Sequence, residues 1–494
     1  MNVDQGDRDH LVEWLFLAYP GTTEIHDVTP EAAQNDAPSP RRLVLVNDAA
    51  RSPRHDSIEW WGVSHRWIVP SALWQQVLGG QASLPEGYNP TVKRSFKRAH
   101  HPRDERVFLH DLSLLNFRRF ESTSLTFSPG FNVVIGKNGA GKSTILDALA
   151  MGLSGVVQPL HRATGKTFSH ASLPLRDVRM AAFDKGGTLT TERQFPARIA
   201  ASLSFLGERL TFGPEASQSG GATFAGPGRA ISFLDPTDIV RQAVQDGFDV
   251  TLPVIAYYGT GRLWRGGAPQ QGTPDSLSRF AGYQDCLDPS TDLSAMKAWF
   301  RRMELMALQD GRAPLVLETT KRAILSCLQG FDLVRFDARL DDLAARSAET
   351  GVFLAFDQLS DGQRNMLGMV ADIAYRAATL NPHLGSEAAE RSPGVVLIDE
   401  IDLHLHPAWQ RRVLDDLRRA FPNLQIIAST HSAQILASAK RDEVILLSGG
   451  EAARDESFVE GRDSNSLLED IFGVPARPAA IGDEWAVSHR LSDG

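Results

Sequence analysis

The residues best suited to chemistry begin with Gly136-Lys137-Asn138-Gly139-Ala140-Gly141-Lys142-Ser143-Thr144. Glycines at this spacing let backbone N–H groups turn inward around a phosphate without Cβ clashes. Lys142 would reach the β- and γ-phosphates, and the Ser143 hydroxyl would ligate Mg²⁺. A second group is the acid pair Asp399-Glu400. In phosphoryl transfer, such a pair holds Mg²⁺ through water and polarises the attacking water. A third is the polar tip Ser429-Thr430-His431-Ser432, and a fourth is Leu359-Ser360-Asp361-Gly362-Gln363-Arg364-Asn365. There, Ser360 and Gly362 at a helix amino terminus make another anion site, or alternatively a plain N-cap turn.

These side chains need elements to carry them. Phe131, Val133, Val134 and Ile135 form an apolar run before the glycines. Ile145, Leu146, Ala148 and Leu149 follow with the spacing of one helix face, so the stretch reads strand, loop, helix. A helix starting near Lys142 adds its positive end to the phosphate site. Val395–Ile398 reads as a buried strand that sets Asp399 and Glu400 at the carboxyl edge of a parallel sheet, where ligands bind. Leu424–Ala428 is a second such strand, ending at His431, and Met366–Ala378 is a helix after Ser360. Leu252–Tyr258 reads as a strand feeding Gly259-Thr260-Gly261-Arg262. Arg262 is either a charge-stabilising arginine or a surface residue in a tight turn. His404 and His406 admit a His-x-His metal reading, although no third ligand lies nearby in sequence. Met296–Leu308 and Leu315–Leu328 have helical apolar spacing, while Gly213–Arg229, rich in Gly, Ser and Ala, reads as a flexible loop.

At 494 residues the chain exceeds one ordinary core, so two or three domains are expected. With 42% hydrophobic and 22% charged residues, its composition is globular. No apolar run approaches the roughly 20 residues of a membrane span. The acidic start MNVDQGDRDH is unlike a signal peptide, and Cys286 and Cys327 are too few for a disulfide or zinc framework. The expectation is a cytoplasmic protein with no membrane partner. A net charge of −9 leaves nucleic-acid contact to local patches. The foremost patch is Lys93, Arg94, Lys97, Arg98, His100, His101, Arg103 and Arg106. It reads as a solvated linker over residues 93–106 or as a phosphate-contacting strip. Residues 1–92 read as a small appended α+β domain holding Trp14, Trp60, Trp61, Trp67 and Trp74. These tryptophans are core payload or an aromatic docking surface.

From Val107, alternating apolar strands (Phe108–Leu112, Leu114–Phe120, Leu125–Phe127) lead into the phosphate loop. With that loop, the chain resembles the ABC-type ATPases of the recombination and repair group, the RecF, SMC and OLD-like proteins. Leu359–Asn365 resembles their LSGGQ signature in an LSDGQR form, and Leu424–Ser432 resembles their switch-histidine loop. The stretch Ile401–Pro407 matches their D-loop position, with His406 where many transporters carry Asp. The Tyr258-Gly259-Thr260-Gly261-Arg262-Leu263-Trp264 stretch and the tail Val459–Pro475 are similar to ATPases of prokaryotic anti-phage systems, notably Septu and retron systems. The resemblance covers about residues 107–480, leaving 481–494 as a tail, with an inserted arm at about 213–340.

The resemblance implies an α/β fold, with a mostly parallel sheet flanked by helices, an antiparallel β subdomain on which adenosine packs, and a helical insertion. It implies a dimeric or higher ATPase hydrolysing ATP with Mg²⁺. Glu400, His431 and Lys142 would be catalytic, with His431 donating to the γ-phosphate, and Ser143 and Asp399 would hold the metal. Gly136 to Thr144 would bind nucleotide, together with Ser360, Gly362 and Gln363 of the other copy. A glutamine loop is expected, with Gln158 or Gln194 as candidates. No effector is visible in the sequence, so the resemblance implies a separate one, often an HNH nuclease. The alternative is a repair-type ATPase that binds DNA directly.

Overall fold

The computed structural model describes residues 107–161, 173–205, 208–217, 221–225, 236–245, 247–262, 278–290, 293–448 and 451–453, and four short strands nearer the amino terminus. The basic run from Lys93 to Arg106, Leu263-Trp264 and the 459–475 stretch lie outside the described residues. The chain divides into two units, Met1–Glu105 with Arg229–Asp249, and Arg106–Gly228 with Val250–Gly494.

In the first unit, β1 (Glu24–Val28) pairs in parallel with β2 (Arg42–Val46). Strands β3 (Ile58–Gly62) and β4 (His65–Val69) form an antiparallel hairpin.

The second unit opens with β5 (Phe108–Phe117), β6 (Phe120–Thr126) and β7 (Phe131–Gly136), then α1 (Lys142–His161). A hairpin of β8 (Met180–Lys185) and β9 (Thr188–Arg193) precedes β10 (Ala197–Phe205), β11 (Glu208–Ser217) and β12 (Gly221–Ala225). Helix α2 (Pro236–Gln245) falls in the first unit. Then come β13 (Val254–Tyr258), α3 (Ser294–Asp310), α4 (Leu315–Cys327), β14 (Phe331–Asp337), β15 (Asp342–Ser347) and β16 (Phe353–Ala355). The chain continues through α5 (Asp361–Leu380), β17 (Gly394–Ile398), α6 (Val413–Ala420), β18 (Leu424–Ser429), α7 (Ala433–Ser438), β19 (Val444–Ser448) and β20 (Glu451–Ala453).

Two sheets matter most. The central one has the order β13-β17-β18-β7-β19-β20, parallel throughout except for β20. Every residue of β7, β13, β17 and β18 is buried, as expected of parallel strands covered on both faces. The second sheet is antiparallel, in the order β12-β11-β10-β5-β6. Gln425, on β18, joins the two: its amide accepts from the Leu109 N–H at 2.7 Å and donates to the carbonyls of Leu109 (2.9 Å) and Ser128 (2.7 Å). Its buried polar atoms are thereby satisfied. Helix α1 packs against strands of both sheets, and α5 packs against β13, α3 and α4. One helix, Lys142–Leu160, is long and apolar enough to cross a membrane, and it is this largely buried α1.

Two expectations change. The stretch 213–229 is not a free loop in its first part, since residues 213–217 finish β11 and pair with β12. The region about 213–340 is not one helical arm. It contains β13, an integral strand of the central sheet, and its helices α3 and α4 lead into the antiparallel sheet β14-β15-β16.

Candidate active site

Strands β7, β17, β18 and β13 all run in one direction and end at the same edge of the central sheet. Consequently the phosphate loop, the acid pair, His431 and the turn holding Arg262 gather there, which is where parallel α/β sheets bind ligands. Loop residues Lys137, Asn138 and Gly139 are exposed, and Ala140 and Gly141 half-buried. Gly139 and Gly141 take φ values of +74° and +105°, which side chains resist, and a Cβ on Gly141 would stand 2.6 Å from the Phe120 ring. With α1 starting at Lys142, the N–H groups at its start lack helical acceptors, as at any helix amino terminus, which suits them to an anion.

Lys142 is buried, its Nζ donating to the carbonyls of Gly136 (2.9 Å) and Lys137 (3.3 Å). Burial lowers its pKa from the ordinary lysine value, against the opposing pull of Asp399, Glu400 and Asp402. Ser143 is exposed and Thr144 half-buried at the same helix start.

Asp399 is buried, and its Oδ1 accepts from the Ser429 hydroxyl at 2.5 Å. The Glu400 N–H donates to the same hydroxyl oxygen at 2.8 Å, so a serine on the neighbouring strand spaces both acids. Glu400 has φ +49°, a left-handed turn that swings its side chain out of the strand line. Thr430 donates to Asp402 Oδ1 at 2.6 Å, tying the switch loop to the loop after the acids. His431 is half-buried, and its pKa is lowered first by burial and then by Lys142, with Asp402, Glu400 and Asp399 opposing. Lys142, the acids and His431 are thus close enough to act on one another.

Ser360 caps α5. Its hydroxyl accepts from the Gln363 N–H at 3.4 Å, and the Gln363 amide oxygen accepts from the Ser360 N–H at 3.0 Å. Ser360 is exposed, and Gly362 lies against the loop after the acids, where a Cβ would meet the His404 carbonyl at 2.6 Å. Ser360, Gly362 and Gln363 therefore sit apart from the phosphate loop in sequence and element, with Gly362 against the loop that the acid pair begins.

Other assignments move. Arg262 is not a surface residue in a tight turn. It is 2% exposed and bonds the backbone of both acids. Burial lowers its pKa to about 10, which leaves it charged at neutral pH. The Nδ1 of His406 accepts from the Ala408 N–H at 3.3 Å, capping a short helix. Gln158 is sixteen residues beyond Lys142 on α1, about 24 Å along the helix, too far to sense a γ-phosphate. Gln194 follows β9 and donates to the Glu192 carbonyl at 3.0 Å. Ser429 and Asn365 lie inside the stretches read from sequence, but neither has a role of its own there. The signal for Ser429 was a lone hydroxyl closing a buried apolar strand beside the switch tip.

Comparison with known proteins finds ATPase relatives. An AAA-domain family model matches residues 111–200. A second AAA-domain model, which also bears the names AbiEii toxin and type IV TA system, matches 275–437. "Retron Ec83 probable ATPase" of Escherichia coli is 27% identical over 74% of this chain and 76% of its own length. "Retron Vc95 probable ATPase" of Vibrio cholerae serotype O1 biovar El Tor is 22% identical over 75% and 78%. "Septu protein PtuA" of Bacillus thuringiensis is 23% identical over 74% and 85%.

Proposed function

Because the chain is an ATPase of the ABC-type fold, similar to retron ATPases and to Septu protein PtuA, we propose that it is a Mg²⁺-dependent ATP switch. Two copies share it, and a separate effector reads it. In this reading the loop Gly136–Thr144 and the start of α1 take the triphosphate, with Lys142 on its β- and γ-phosphates. Ser143 and Asp399 hold Mg²⁺, and their hydroxyl and carboxylate oxygens are the hard donors that ion takes. The metal supplies charge neutralisation on the phosphates. Glu400 orients and activates the attacking water, and His431 donates to the γ-phosphate. The rate then comes from positioning and charge stabilisation, without a covalent intermediate. Ser360, Gly362 and Gln363 of the second copy cap the γ-phosphate, so ATP binds the closed dimer more tightly than the open one. The effector is a nuclease, of the HNH type, and the setting is cytoplasmic anti-phage defence. The names of the retron and Septu relatives support that setting.

One observation carries the dimer. The capped helix start at Ser360 is exposed, yet it is pinned by Gly362 to the loop that follows Glu400. The test is sedimentation of Glu400→Gln with ATP and Mg²⁺, where a stable dimer is expected and a persistent monomer sinks the reading. Several-fold stimulation of turnover by DNA ends, with no effector needed, favours the repair-type ATPase instead.

A further inference from the structure

The guanidinium of Arg262 lies between three parts of the chain. Its Nη1 donates to the carbonyls of Gly259 at 2.8 Å and Asp399 at 2.5 Å, and its Nη2 to the carbonyl of Glu400 at 2.8 Å. Its Nε donates to Asn365 Oδ1 at 2.9 Å, and Asn365 Nδ2 donates onward to the Leu403 carbonyl at 2.8 Å. Asn365 is buried one turn into α5, the helix that Ser360 caps. The two side chains thus hold both ends of the loop that starts at Asp399, and both hold it to α5. Gly362 closes the same contact from the helix start, with no room for a Cβ.

We infer that Arg262, with Asn365, is a positioning device that locks the acid pair to the signature helix of the same chain. The planar fork suits this role, because it can hold two adjacent carbonyls and a side-chain amide at once, which a lysine ammonium cannot do in a fixed geometry. The consequence rests on the function proposed above. Ser360 of one copy meets the nucleotide gripped by the other, while Glu400 serves its own copy's nucleotide. A rigid tie between Ser360 and Glu400 therefore makes capping at one site move with water activation at the other. Neither Arg262 nor Asn365 touches nucleotide in this scheme, so binding is spared and turnover is not.

The experiment is steady-state ATP hydrolysis by the full chain carrying Arg262→Lys, Asn365→Asp or both. Asn365→Asp keeps an acceptor for the Arg262 Nε, now charged, and sets an oxygen in place of the donor to the Leu403 carbonyl. Each single variant is expected to lose about tenfold in kcat with KM changed less than about twofold, the split that marks an interaction needed in the transition state. The double variant is expected to be no slower than the slower single, since both cut one relay. Should Arg262→Lys fail to fold, Asn365→Asp alone carries the test. Wild-type kcat in Asn365→Asp, or losses that multiply in the double variant, overturns the inference. Glu400→Gln, run beside them, separates the two readings. If it hydrolyses ATP at the wild-type rate, the site assignment falls. If it is dead while the Arg262 and Asn365 variants turn over normally, only the tie falls.

Discussion

At the scale of single residues, the acid pair depends on a hydroxyl that carries no charge of its own. Ser429 donates to Asp399 and accepts from the Glu400 N–H, so its loss leaves a buried carboxylate and a backbone donor each short of a partner. A hydrogen bond to a charged group contributes about 1.5–3 kcal/mol. Ser429→Ala is therefore expected to cut turnover about tenfold or more, and to raise the Mg²⁺ concentration for half-maximal rate, read from a Mg²⁺ titration of ATP hydrolysis. A second expectation concerns protonation. With its folded pKa below the usual 6.5, His431 is neutral at physiological pH. As pH falls through the ordinary histidine range, the unfolded chain takes up that proton first, so His431 costs stability on acidification and nothing above that range. In an NMR titration its midpoint should lie below 6.5 and rise in Lys142→Met, where a neighbouring positive charge is gone. An unchanged midpoint in that variant means the two side chains do not interact.

At the scale of elements, α5 is fixed at its far end by a buried ion pair. Arg376 Nε donates to Asp372 Oδ2 at 2.8 Å, the Tyr258 hydroxyl donates to the same oxygen at 2.8 Å, and Arg376 Nη1 reaches the carbonyls of Gly282 (2.8 Å) and Gln284 (3.0 Å). Asp372→Ala strands a buried guanidinium and should cost about 3–5 kcal/mol. Tyr258→Phe should cost only about 1 kcal/mol. Thermal melts in the same buffer compare them, and equal losses contradict this account. What could be read from the sequence follows from how local each signal is. β7, β17 and β18 are apolar runs closed by glycine, acid or histidine tips, so strand, edge and chemistry were visible together in one short stretch. Residues 213–217 were not, because Gly213, Pro214 and Ser217 read as loop while their pairing partners lie on β10 and on β12. Arg262 was illegible for the same reason at longer range, its partners being 103 and 138 residues away in the chain. A stretch of alternating residues with tryptophans gave no hint that 58–69 turns back on itself at Gly62.

At the scale of the whole molecule, the proposed site is divided by its own geometry. The phosphate loop, acids and His431 share one sheet edge, while Ser360 faces solvent at the start of α5. If each triphosphate lies between two copies, defects in the two halves should complement. Lys142→Ala removes the grip but leaves Ser360 intact, and Ser360→Arg blocks the cap but leaves Lys142 intact. Each variant alone forms only dead sites. Mixed in equal amounts, half of the dimers pair one of each, and each such dimer holds one intact site of two. About a quarter of wild-type turnover should then return, as closed two-fold assembly requires. A chain that completes its own site gives no recovery on mixing at any ratio. Recovery near a quarter that rises with total protein concentration also identifies the sharing as intermolecular and reversible, because subunits must exchange before a mixed site exists.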